Sequence, residues 1–112
     1  MAPFVKTYKL DGGSKVTVYK VFGTRHYFAV VDMDGHYPGK GKISHNVGRN
    51  EFILVLSGEL LVTKNGRKKT LKTGMTLLLE NGCKYEILGK GKSLVFVDDG
   101  EAGKGESLVE TK

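Results

Sequence analysis

Apolar and polar residues alternate along most of this chain with a period of two. Val16 and Val18, with Phe22 before the break at Gly23, predict an early strand; Tyr27 to Val31 predict a second, ending in the turn-rich Asp34-Gly35 and Pro38-Gly39 region. Glu51 to Leu56 and Glu59 to Thr63 follow, separated by Ser57-Gly58. Asn65-Gly66 is a type I′ turn signal joining the latter strand to Lys68 to Leu71. Beyond Gly74, strands are expected at Met75 to Leu79, at Lys84 to Leu88 after Asn81-Gly82, and at Ser93 to Val97. No window carries a capped helical stripe, so the pattern predicts an all-β sandwich or barrel.

The run Phe52 to Leu56 breaks the alternation, being apolar on both strand faces. One face can line an interior while the other packs on another layer or on a second subunit. At 112 residues, with 39% hydrophobic and 27% charged positions, the chain is expected to make one domain over residues 1–99. Residues 100–112 read as an acidic, Gly-rich tail, partly mobile, with Leu108-Val109 able to add to a sheet edge.

No apolar run approaches the roughly 18 residues of a membrane span, and the first residues lack the basic, apolar and small-residue order of a signal peptide. The expected location is therefore cytoplasmic. The lone Cys83 cannot form an internal disulfide and reads as an apolar filler. Residues 1–97 carry a net charge of +9 and residues 98–112 a net −3. The densest basic cluster, Lys64, Arg67, Lys68, Lys69 and Lys72, surrounds the predicted Asn65-Gly66 hairpin and reads as a solvated face rather than a nucleic-acid surface.

Gly39, then His45, Glu51 and Gly58, followed by Gly74, Gly82 and Tyr85, give a pair of spaced motifs that resembles the cupin superfamily. The resemblance implies a double-stranded β-helix or jelly-roll barrel, often a homodimer. It also implies a metal held by two histidines spaced His-x-His, a glutamate and a later histidine. Here His45 and Glu51 stand at two of those positions, while Val47 and Tyr85 replace the other two histidines. An isopropyl group donates no electron pair, and a neutral phenol is a poor ligand. No cofactor and no tightly bound metal are therefore expected, a weak divalent site on His45 and Glu51 being the alternative.

These residues predict a pocket with His45 and Glu51 as a tentative acid/base pair. Arg49, Tyr85, His36 and His26 are candidate ligand contacts. Arg49 suits a carboxylate or phosphate, and Tyr85 offers a flat face plus a hydroxyl. Ile53 and Val55 should share the strand face of Glu51. The expected function is binding of a hydroxylated or anionic small metabolite. The alternatives are a sugar or sugar-derivative isomerase, epimerase or lyase using His45 and Glu51, and a structural or protein-interaction module. A homodimer is expected, with no membrane partner.

Overall fold

In a computed structural model, the described residues are 5–9, 13–24, 26–98 and 105–112. They form nine strands: β1 (Val5–Lys9), β2 (Lys15–Lys20), β3 (Tyr27–Tyr37), β4 (Lys42–Val47), β5 (Asn50–Lys64), β6 (Arg67–Lys72), β7 (Thr76–Leu79), β8 (Lys84–Asp98) and β9 (Glu106–Thr111). Every pairing is antiparallel, along the path β1-β2-β3-β8-β4-β9, with β5 joining β6, β7 and β8. The sheet curls into the all-β, jelly-roll-like half-barrel that the alternation predicts. No helix among the described residues is long and apolar enough to cross a membrane.

Two of the expected strand pairs turn out to be single long strands. Ser57-Gly58 reads as a turn, but it is a β-bulge inside β5, where the register against β8 shifts between Val55 and Ser57. Before the bulge the buried positions are Glu51, Ile53 and Val55; after it they are Leu60 and Val62, so the extra residue moves the inward set from odd to even numbers. Across from it, Gly89 to Gly91 carries β8 through the same bend. A Cβ at Gly58 would collide with the Lys90 carbonyl, and one at Gly91 with that of Ser57. Glycine is required there because the two backbones touch.

The Asn65-Gly66 turn forms as expected, with both residues at positive φ (50° and 80°). Phe22, by contrast, lies in a turn beyond the end of β2 and is half exposed. Neither β1 nor β4 announces itself in the apolar pattern. Leu108 and Val109 lie in β9, which pairs with β4 from Lys42↔Thr111 to Val47↔Glu106. The core is made by the inward residues of β3, β5, β6, β7 and β8, among them Met33, Leu60, Val62, Leu71, Leu79 and Val97. Each fully buried aliphatic side chain of this kind stabilises the fold by roughly 1.5–3 kcal/mol.

Candidate functional site

A cavity of about 240 Å³ opens inside the curl of the sheet. Alternation along β2, β3, β5 and β8 aims one side chain in two at it, and most of those side chains are apolar, Val16, Val18, Ala29, Val31, Ile53 and Val95 among them, with Ser93 a polar exception. The polar groups gather instead where Arg49, Glu51, Tyr27, Tyr85 and Ser107 meet. The cavity is thus a mostly apolar chamber with one polar end, the usual composition of a small-molecule site.

Glu51 opens the inward series of β5 and is buried at 8% exposure. Its Oε1 accepts a hydrogen bond from the Tyr85 hydroxyl at 3.1 Å and lies 3.8 Å from Arg49 Nε. Arg49 in turn donates from Nη2 to the Tyr27 hydroxyl at 2.8 Å. Tyr85 stacks on Tyr37 with ring centroids 6.1 Å apart and planes 28° apart. Its hydroxyl is 3.5 Å from Ser107 Oγ on β9, and Ser107 shares a short hydroxyl contact with Ser44 on β4. Burial, reinforced by the neighbouring Glu51 carboxylate and by Tyr37, pushes the Tyr85 phenol well above the ordinary tyrosine value. Tyr85 therefore stays a neutral hydrogen-bond donor across the physiological range.

Of the six residues expected at the site, Glu51, Arg49 and Tyr85 come together, whereas the three histidines lie elsewhere. The expectation that His45 faces Glu51 across a pocket fails on strand parity: in β4 the buried residues are Ser44 and Asn46, so His45 and Val47 point outward. His45 Nδ1 sits 3.1 Å from Glu110 Oε1, and the other oxygen of that carboxylate is 3.1 Å from Lys84 Nζ. Lys84 first and His45 second hold the Glu110 carboxyl below its usual range. His36 likewise faces outward from β3, 3.7 Å from Glu86, which also pairs with Lys112. His26 lies before β3, 3.9 Å from Asp98 and tilted against Phe96.

Metal binding has no geometric basis at this cavity. Among the described residues no group of three or more His, Cys, Asp or Glu side chains is placed to hold an ion. The inward set of Ser44, Asn46, Glu51 and Tyr85 supplies one carboxylate beside a hydroxyl, an amide and a protonated phenol. The Asn46 amide is already committed, donating to the Leu79 carbonyl at 3.0 Å. Such donors do not make a divalent site. Cys83 offers no thiolate either, because burial pushes its thiol up to about 11.

Sequence reasoning missed Tyr27, Tyr37, Ser44 and Ser107. Tyr27 and Tyr37 had a signal, since they share the odd-numbered face of β3 with Ala29 and Val31. Ser107 had none, because nothing local ties the carboxyl-terminal segment to the cavity.

No family model matches the chain, and no curated protein is similar to it in sequence. Solved structures match its fold. A variant of Streptomyces Pac13 solved with uridine superposes with a TM-score of 0.77 at 12% identity, covering 96% of this chain and 87% of that one. Pac13 is described elsewhere as a unique nucleoside dehydratase, with the same score and identity over 96% and 88% of the two chains. An RmlC-like cupin from Shewanella frigidimarina gives 0.64 at 16% identity over 83% and 81%. VPA0057 of Vibrio parahaemolyticus, of unknown function, gives 0.65 at 20% over 84% and 96%. The fold is therefore cupin-like, and among the described residues no cluster of three or more His, Cys, Asp or Glu could hold a metal ion.

Proposed function

We propose that this chain binds a small hydroxylated ring compound in the cavity, with Glu51, Arg49, Tyr85 and Tyr27 as the polar contacts. The carrying observation is the buried carboxylate of Glu51, hydrogen-bonded to Tyr85 and flanked by Arg49, at the end of an otherwise apolar chamber. A carboxylate and a guanidinium side by side largely match each other's charge. They favour a neutral ligand with hydroxyls, which can donate to one and accept from the other, over a bare anion. Tyr27, Tyr37 and Tyr85 add flat apolar faces against which a ring can lie. The cavity, at about 240 Å³, lies just below the roughly 300–1,000 Å³ range of ligand sites, which suits a small ligand of one or two rings. Uridine, the molecule named with one structural neighbour, has this chemistry.

A second reading, that of an enzyme, is favoured by the Glu51–Tyr85 hydrogen bond alone. A carboxylate held next to a neutral phenol can take a proton from a substrate carbon or hydroxyl while the phenol steadies it, as an epimerase, isomerase or lyase requires. His45 has no part in such a pair. Native mass spectrometry of gently purified protein is the test of binding. A retained small molecule, or adduct formation with added uridine, that is lost in Glu51→Gln supports the proposal; retention unchanged in Glu51→Gln, Arg49→Ala and Tyr85→Ala places the ligand elsewhere. Exchange of substrate hydrogen with deuterated solvent separates the enzyme from the binder.

A further inference from the structure

The outward face of the same sheet carries a second pattern, separate from the cavity. Strand register sets Tyr19, Phe28, Phe96, Phe52 and Leu78 in one row across β2, β3, β8, β5 and β7. The row beside it is Thr17, Val30, Leu94, Leu54 and Thr76. The phenyl rings touch one another, Phe28 to Phe96 at 5.3 Å and Phe52 to Phe96 at 6.1 Å. Yet Phe28, Phe52 and Leu78 remain 37%, 47% and 40% exposed. Contiguous aromatic exposure of this kind is rare on a surface meant for water.

Charges border the two apolar rows, and they differ in sign between the two ends. Along the strands on one side lies a row of Lys9, Lys15, Asp32 and Lys92, with more base than acid. On the other side stand His26 and Asp98. The midpoint between the two borders is the registered row of Ala29, Val95 and Ile53.

We propose that this face pairs with the same face of a second copy about a two-fold axis lying over the Ala29–Val95–Ile53 row, perpendicular to the strands. Rotation about that axis lays β8 over β8 in the opposite direction. Leu94 of one copy then meets Phe96 of the other, Val30 meets Phe28, and Leu54 meets Phe52, so each large ring faces an aliphatic side chain. The same rotation sets Lys92 of one copy against Asp98 of the other, and Asp32 against His26. Each of these contacts occurs twice in a two-fold pair. An axis along the strands would instead stack the basic row of one copy on the basic row of the other, a repulsive arrangement between chains of net charge +6. The face spans roughly 20 Å by 20 Å at ordinary strand spacing and rise. Its projected area of about 400 Å² is half of the ~800 Å² per partner of a standard-size interface, and side-chain relief adds to it, so the pair is a small interface. An anionic lipid surface fits less well, because it would meet Asp98 at one end of the face.

Sedimentation equilibrium on the full chain tests both the surface and its register. A dimer is expected at micromolar concentration, with Phe52→Asp weakening association by about 100-fold or more while the far-UV spectrum stays that of a β protein. Lys92→Glu and Asp98→Lys should each weaken association about tenfold, and the double reversal should return it to within about threefold of the wild type. A monomer up to millimolar concentration overturns the proposal, as does a folded Phe52→Asp chain that still dimerises. If Phe52→Asp fails to fold, the charge series decides: single reversals without effect, or a double reversal no better than the singles, rejects the pairing. A monomer that co-sediments with phosphatidylserine vesicles would give the face to a lipid surface instead.

Discussion

β4 and β5 are joined through Gly48 and Arg49, and they present their inward residues very differently. In β5 the apolar pattern reports the fold directly: Ile53 and Val55 share a face with Glu51, as alternation predicts, and that face lines the cavity or core. In β4 the apolar pattern gives no strand, and the two residues that the strand buries, Ser44 and Asn46 at 0% exposure, are polar, while Ile43, His45 and Val47 lie on the other face. Hydrogen bonds hold both residues inward, although Asn46 Oδ1 is buried without a hydrogen-bond partner among the described residues. Asn46 donates to the Leu79 carbonyl, its backbone N–H and C=O are taken by Cys83 and Gly82, and Ser44 finds Ser107 on β9.

The sharpest way to break this contrast is to truncate one residue from each side of it. Tyr85→Ala empties a buried ring position and should cost about 3–5 kcal/mol in denaturant unfolding. His45→Ala removes only a part-exposed pair with Glu110 and should stay within about 1 kcal/mol. Equal losses would mean that His45 is interior after all. Next in size, Gly58→Ala at the β5 bend meets both a positive φ of 85° and the Lys90 carbonyl, and should lower stability by roughly 1–3 kcal/mol. A neutral result there would put the bend elsewhere.

Acid should act on β4 and β9 before it acts on β5. The Glu110 carboxyl is held below its unfolded value by Lys84 and His45, so its contribution is present above the ordinary glutamate range and is lost as pH falls through the lowered folded value. Protection factors of the β9 amides, taken relative to intrinsic exchange at each pH, should fall over that acid window, and Glu110→Gln should remove the fall; protection that is flat with pH in the wild type would contradict it. The smallest effect is chemical. Cys83, buried and pushed up to about 11, should react with a disulfide reagent only as the protein unfolds. Rapid labelling of native protein would show that the β7–β8 connection opens readily.

The all-β barrel was legible because β3, β5 and β8 alternate over long stretches, and because Asn65-Gly66 admits few other conformations; the strand count was not, since β1 and β4 carry no apolar pattern and β5 and β8 each read as two strands. What was not legible came from single-residue matters. The bulge at Ser57 keeps β5 continuous where a glycine pair suggests a turn, and the one-residue offset in β4 puts His45 outside while Glu51 and Tyr85, placed by the same spaced motifs, fall inside. Ser107 was invisible for another reason: its approach to Tyr85 depends on β9 pairing with β4, a contact between segments some 60 positions apart.

The polar end of the cavity, rather than the histidines, is the proposed seat of the ligand. Native mass spectrometry of the wild type, Glu51→Gln and His45→Gln, each purified without dialysis and then titrated with uridine, tests it most directly. A bound small molecule is expected in the wild type and in His45→Gln, and its loss in Glu51→Gln with the β spectrum preserved. Loss in His45→Gln with retention in Glu51→Gln would contradict it.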